Sequence, residues 1–248
     1  MLTFLRKIRK SLIESRSFRK YLLYALGEIA LVVLGILIAL QVNNYRSIQA
    51  DKSYLKNVYA QIKEDLSRDS LIVSSILDTQ VETEKRIQDI LDRKIFPSFW
   101  DTIDQSNYSE CEICGSDPTK YRAFFPSENG YLLLKEIKSK DVVIKDSLSS
   151  LILNFYTENI KRIDYHISTI RRITDENIKE YQQYSWFTDW ANQRFNKEFL
   201  RFIFESETYR KMLSRYRIYY RNNYIYRLNV YKNQASELIK LIEERLES

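Results

Sequence analysis

Three sets of residues in this 248-residue chain have types and spacings that could do chemistry. The first is Glu28, the one charged residue in the run YLLYALGEIALVVLGILIALQV, Tyr21–Val42. An ionised carboxylate in hydrocarbon is costly, so Glu28 is expected to be protonated, paired or turned toward a partner; a carboxyl so placed could carry a proton. The second is Cys111-Glu112-Ile113-Cys114-Gly115, whose spacing suits a local disulfide, one knuckle of a zinc ribbon, or a redox pair. The third is a C-terminal segment in which Tyr216, Tyr219, Tyr220, Tyr224, Tyr226 and Tyr231 alternate with Arg215, Arg217, Arg221 and Arg227. Such interleaving can stack on bases and contact phosphates.

The remainder of the chain narrows these readings. Glu28, Val32, Gly35 and Ala39 fall on one helix face, and Gly35-x-x-x-Ala39 is a small-x-x-x-small pattern that lets helices approach closely. Packing and self-association through that face are expected, with a proton-coupled, stator-like subunit or a translocon- or lipid-related role as alternatives. A structural zinc needs four ligands, yet there is no second cysteine pair and His166 is the only histidine. A Cys111–Cys114 disulfide is therefore expected; zinc shared between two chains, redox chemistry and free thiols are the alternatives. Neither a resident metal nor a cofactor is expected. Tyrosine is amphipathic and fills the boundary between a helical core and water, so the aromatic segment is expected to serve core and surface, with a glycan or peptide groove as the functional alternative. One histidine and no glycine-rich phosphate loop leave no arrangement for nucleophilic catalysis or phosphate transfer, so no enzyme is expected.

Two kinds of element must position these groups. The run Tyr21–Val42 has the length of a bilayer-spanning helix, which takes roughly 20 apolar residues. Charge gives its orientation. The chain carries 39 basic and 33 acidic residues, net +6. Arg6, Lys7, Arg9, Lys10, Arg16, Arg19 and Lys20 precede the run against Glu14 alone, so the rest of the chain is electrically balanced. This is the distribution of a cytoplasmic flank, and these seven residues are expected to contact lipid headgroups. Leu2, Leu5, Ile8, Leu12 and Ile13 recur at helical spacing, as in a segment lying along the inner leaflet. The polar Gln41–Arg46 offers no small-x-small cleavage site, which favours a signal anchor over a cleaved signal peptide. Domains are expected at 1–20 (cytoplasmic), 21–42 (transmembrane) and 43–248 (the far side of the membrane). A balanced outer part in that compartment argues against nucleic acid.

The outer part reads as helical. Glycine occurs only at 27, 35, 115 and 130 and proline only at 97, 118 and 126, leaving two long stretches without either. Leu55, Tyr59, Ile62, Leu66, Val73, Ile76, Ile87 and Ile90 fall on four-three spacing, interrupted by Asp69, Gln80 and Thr83. The spacing predicts that the transmembrane helix continues to about Lys94. An irregular connection is expected at 97–130, then a short helix with Ser127 as N-cap, a turn at Lys138–Asp141, and a helix over Ser147–Tyr184 capped by Asp146. Leu148, Leu151, Ile152, Phe155, Ile160, Ile163, Ile167, Ile170 and Ile173 form its apolar stripe. An aromatic segment Trp186–Phe204 leads to a last helix over Glu207–Leu246. The fold class expected is all-α: one N-terminal transmembrane helix continuing into an elongated helical bundle beyond the membrane.

The run GEIALVVLGILIALQVNN, Gly27–Asn44, after the basic FRKYLLYAL, resembles the start of an uncharacterised Bacteroidota family of single-pass membrane proteins with the span GEI-x-LVV-x-GILIALQ-x-NN. Tyr131–Tyr156 is similar to that family's outer stretch, except that Ser139-Lys140-Asp141 stands where a glycine-containing turn is usual. The resemblance implies a Gram-negative inner membrane with the bulk of the chain in the periplasm, and it implies no activity. A scaffold or partner-binding protein is expected, associating with itself or another membrane protein. An accessory subunit of a membrane machine and a ligand-sensing bundle are the alternatives.

Overall fold

The structure is a computed structural model that describes residues 18–247. It is all-α, with no strand among the described residues. The chain divides into two units, Met1–Leu55 and Lys56–Ser248. Helix α1, Phe18–Leu91, contributes to both. In the first unit it holds an 18-residue window long and apolar enough to cross a membrane, none of it buried within the chain.

In the second unit the four-three seam of α1 is the core. Tyr59, Ile62, Leu66, Val73, Ile76, Ile87 and Ile90 are all buried, as is Leu55, the last residue of the first unit. The helix stops at Leu91, three residues before the expected end, where Arg93 takes a left-handed φ of 57°. Residues 97–128 hold one short helix, α2 (Pro97–Trp100), and three 3-10 turns, followed by an extended stretch. Next come α3 (Asn129–Glu136), α4 (Asp141–Ile144) and the long α5 (Ser147–Tyr181). Asp146 caps α5, its carboxylate accepting from Ser149 N at 2.7 Å. The stripe of α5 is buried except for Leu151, 51% exposed, and the half-buried Ile160. The aromatic segment splits into α6 (Phe187–Ala191) and α7 (Lys197–Glu205), because Gln193 adopts a left-handed φ of 55° between them. The last helix has three parts: α8 (Glu207–Arg217), a π-helical stretch (Ile218–Ile225) and α9 (Tyr226–Glu247).

Ser127 is not the N-cap of α3, and this corrects the sequence reading. Glu128 holds the cap position without a side-chain bond. Ser127 instead donates both its N–H and its hydroxyl to Asp69 of α1. The start of α3 lies against the α1 backbone, and Gly130 makes that approach possible. A Cβ there would stand 2.5 Å from Ile62 Cγ1 and 2.7 Å from Ile62 N. Backbone cannot yield as a flexible side chain does, so Gly130→Ala is expected to cost about 3 kcal/mol. Leu132→Ala, at a half-exposed position of the same helix, should change stability much less. Denaturant unfolding of both variants checks this.

Candidate functional site

The densest polar chemistry lies in the core of the second unit. Asp65 and Asp69, one turn apart on α1, are both fully buried. Asp69 accepts from Ser127 N (3.0 Å), Ser127 Oγ (2.7 Å) and the Tyr231 hydroxyl of α9 (2.5 Å). Asp65 accepts from Gly130 N at 2.8 Å and Gln61 Nε2 at 3.0 Å, and from Asn129 Nδ2 at 3.4 Å. The donors that a helix N-terminus leaves unpaired are thus satisfied by carboxylates more than 50 residues earlier in the chain. Burial pushes the Asp69 carboxyl above its ordinary range, and the bonds from Tyr231 and Ser127 offset part of that rise. Burial and the two carboxylates also hold the Tyr156 hydroxyl well above its usual range; it has no hydrogen-bond partner among the described residues. Every carboxylate oxygen of this pair already receives a donor. The arrangement therefore suits holding backbone in place better than binding a cation or abstracting a proton.

Asp146 gathers a second cluster. Besides capping α5 it accepts from Tyr59 of α1 and from Arg245 of α9, joining the three long helices. Burial alone would raise its pKa, but the bonds from Tyr59, Ser149 N and Arg245 outweigh it and hold the carboxyl below its ordinary range.

The aromatic C-terminal segment serves the core. Tyr216, Tyr220, Tyr224 and Tyr231 are buried, Tyr219 is half-buried and Tyr226 is exposed. Two of their hydroxyls satisfy the stretch after the 3-10 turns. Tyr216 donates to Lys120 O (2.9 Å); Tyr224 donates to Arg122 O (3.1 Å) and accepts from Phe124 N (2.8 Å). An i,i+4 step overshoots an α-turn by ~40°. The wider π turn at Ile218–Ile225 undershoots it, which keeps Tyr216, Tyr220 and Tyr224 in one file. The neighbouring arginines are largely paired: Arg215 with Glu176, and Arg217 and Arg221 with Glu84.

Cys111 and Cys114 form a disulfide, with Cys114 buried and Cys111 half-buried. The loop is held by Arg86, which bridges Asp117 (3.0 Å) and Glu112 (3.4 Å), and by Asn177 Nδ2 donating to Pro118 O at 2.8 Å. A cleft of about 460 Å³ beside it includes Tyr108, Glu112, Lys120 and Trp190. Among the described residues no group of three or more His, Cys, Asp or Glu is placed to hold a metal ion.

In the first unit, Val32, Gly35 and Ala39 are exposed and Glu28 is half-buried. A Cβ on Gly35 would meet nothing within 4 Å. Arg19 is exposed, and Lys20 belongs to the first turn of α1. Arg6, Lys7, Arg9, Lys10 and Arg16 lie outside the described residues.

Sequence reading misses Asp65, and it takes Asp69 for a break in the seam, because nothing local separates either from a surface acid. The available signal was their position on the buried face one turn apart, upstream of a segment with a glycine and a serine at the start of a helix.

Two sets of variants test these assignments. Tyr224→Phe leaves Phe124 N–H and Arg122 C=O without that partner and should cost about 2 kcal/mol, whereas Tyr226→Phe at the surface should be neutral; equal unfolding midpoints would contradict the role given to the hydroxyl. Asp146 and Asp69 should show opposite pH signatures. The depressed Asp146 contributes stability that is present above its unfolded value of 3.8 and lost as pH falls through the folded value. The raised Asp69 contributes stability that is fully present below 3.8 and lost as pH rises through the folded value. On acidification the stability gap between wild type and Asp146→Asn should narrow, while the gap to Asp69→Asn widens. Denaturant unfolding from about pH 7 to about pH 3 reads both.

Comparison with protein-family models, with curated proteins and with solved structures finds no match to this chain.

Proposed function

We propose that this chain is a non-enzymatic, membrane-anchored scaffold or partner-binding protein that associates with itself through the Glu28/Val32/Gly35/Ala39 face of α1. The observation that carries this reading is the apolar window of α1, of spanning length and with none of its surface buried in the chain. Such a surface needs lipid or another helix around it. The basic cluster before it supports a cytoplasmic N-terminus. The Cys111–Cys114 disulfide suits an oxidising compartment, here a bacterial periplasm, for residues 43–248. The resemblance of Gly27–Asn44 to a Bacteroidota membrane-protein family supports the same placement. The hydroxyls and carboxylates that would otherwise invite a catalytic reading are engaged in holding helices and loops together. The anchored unit accordingly acts by position.

Glu28 supports a second reading, an accessory subunit that takes up and releases a proton, because it is the one acidic or basic residue within the apolar stretch.

Self-association has a sharp test at Gly35. Its surroundings in the single chain leave open space for a side chain, so a larger residue harms only contacts with another molecule. Gly35→Ile should convert an oligomer to a monomer in native mass spectrometry of gently extracted protein, with helix content unchanged. An unchanged stoichiometry would place the contact on another face.

A further inference from the structure

Arg227, at the start of α9, is a half-buried guanidinium on which Glu158 acts only through space. Its Nη2 donates to Asn159 Oδ1 of α5 at 2.6 Å, its Nε is buried with no acceptor, and no carboxylate forms an ion pair with it among the described residues. A desolvated guanidinium left in that state is costly, and a carboxylate accepting two parallel N–H bonds is the ligand its geometry suits. Asn159 cannot swing away to help, since its own amide donates to Phe155 O at 2.9 Å and to Gln234 Oε1 at 3.2 Å. The group is held in place and incompletely satisfied.

Its Nε is closed off from solvent, but the residue as a whole borders open space. A cleft of about 430 Å³ runs between α5 and α9, with Arg227 and Asn159 at one end and Leu151, Phe155, Leu238 and Leu241 further along. A second cleft of about 230 Å³ shares Leu151 and Leu241 and continues to Leu148. From Arg162 to Ser147 along α5 the two together cover about 20 Å at 1.5 Å per residue. Leu151 and Leu241, 51% and 40% exposed, depart from the otherwise buried stripes of these helices at this groove. Glu158 and Arg162 act on Arg227 in opposite senses and pair with each other, and Glu237 is exposed at the rim, so none of them forms an ion pair with Arg227. A polar end with a positive charge in no ion pair, and a groove of mixed lining along which leucines recur, describe a ligand with an anionic head and an aliphatic tail.

We propose that the α5/α9 groove binds an amphiphilic monocarboxylate, its carboxylate on Arg227 and its tail along Leu151, Leu238 and Leu241. This site lies wholly within the second unit and does not depend on the anchored-scaffold reading. His166, the only histidine of the chain, reports on it, because burial and the charge of Arg227 hold its pKa below the ordinary value. A bound carboxylate offsets that charge and raises the His166 pKa.

The test uses the full chain in nanodiscs, titrated with sodium octanoate while the His166 imidazole resonances are followed by NMR. Octanoate should raise the His166 pKa saturably. Butyrate, shorter by four methylenes, should bind at least roughly tenfold more weakly, and octanol should leave the pKa unmoved. Arg227→Gln should abolish the response. Leu151→Asp, a change at an exposed position that the fold tolerates, should weaken octanoate at least roughly tenfold while leaving the resting His166 pKa in place. No saturable shift with octanoate, an equal response in either variant, or equal affinity for butyrate and octanoate would overturn the proposal.

Discussion

Asp65 and Asp69 occupy the buried face of α1, shielded from bulk solvent, so the surrounding chain must supply hydrogen-bond donors. It supplies them from the start of α3 and from Tyr231 of α9. Much else in the second unit follows from that requirement. The donors reach the carboxylates only if α3 begins against the α1 backbone, which only a glycine at 130 permits. Tyr231 must present its hydroxyl from α9, which fixes the rotation of that helix about its axis. Phe124, which packs edge-on against Tyr231 at 5.1 Å, ties the extended stretch to the same point. Apolar packing holds the helices together, while this pair of acids selects the registers in which they meet.

The long irregular connection is stabilised on the same plan. A stretch without helix or sheet leaves its backbone groups unpaired, and burying them unpaired is expensive. Here tyrosine hydroxyls from α8 and the π-helical stretch take the place of a neighbouring strand. The π turn is what allows residues four apart to stay in one file over that distance. Part of the abundance of tyrosine, 19 in 248 residues, thus has a structural use: the rings of Tyr216 and Tyr224 fill the core while their hydroxyls pair with backbone that the fold would otherwise leave bare.

The all-α class was readable from the placement of glycine and proline, because helices need neither and irregular segments concentrate both. The seam of α1 and the Asp146 cap were readable too, since periodicity and capping are properties of a few adjacent residues. The roles of Asp65, Asp69 and Ser127 were not. Ser127 has every local mark of a cap, and only the arrival of α1 beside it redirects its hydroxyl. The π-helical turn leaves no trace in composition, and the break at Gln193 rests on a left-handed residue that is not glycine. At the candidate ligand groove, Arg227 looks like one more base in an aromatic-basic run. What sets it apart is that none of the acids around it forms an ion pair with it, and that is a property of two helices together.

Membrane anchoring is the claim on which the proposed role rests. It is tested most directly by alkaline carbonate extraction of native membranes, combined with protease treatment of right-side-out and inverted vesicles. The account predicts that the protein stays with the membrane at high pH and that residues 43–248 are cut only from the face opposite the basic N-terminus. Release into the carbonate supernatant, or digestion of that region from the cytoplasmic face, would contradict it.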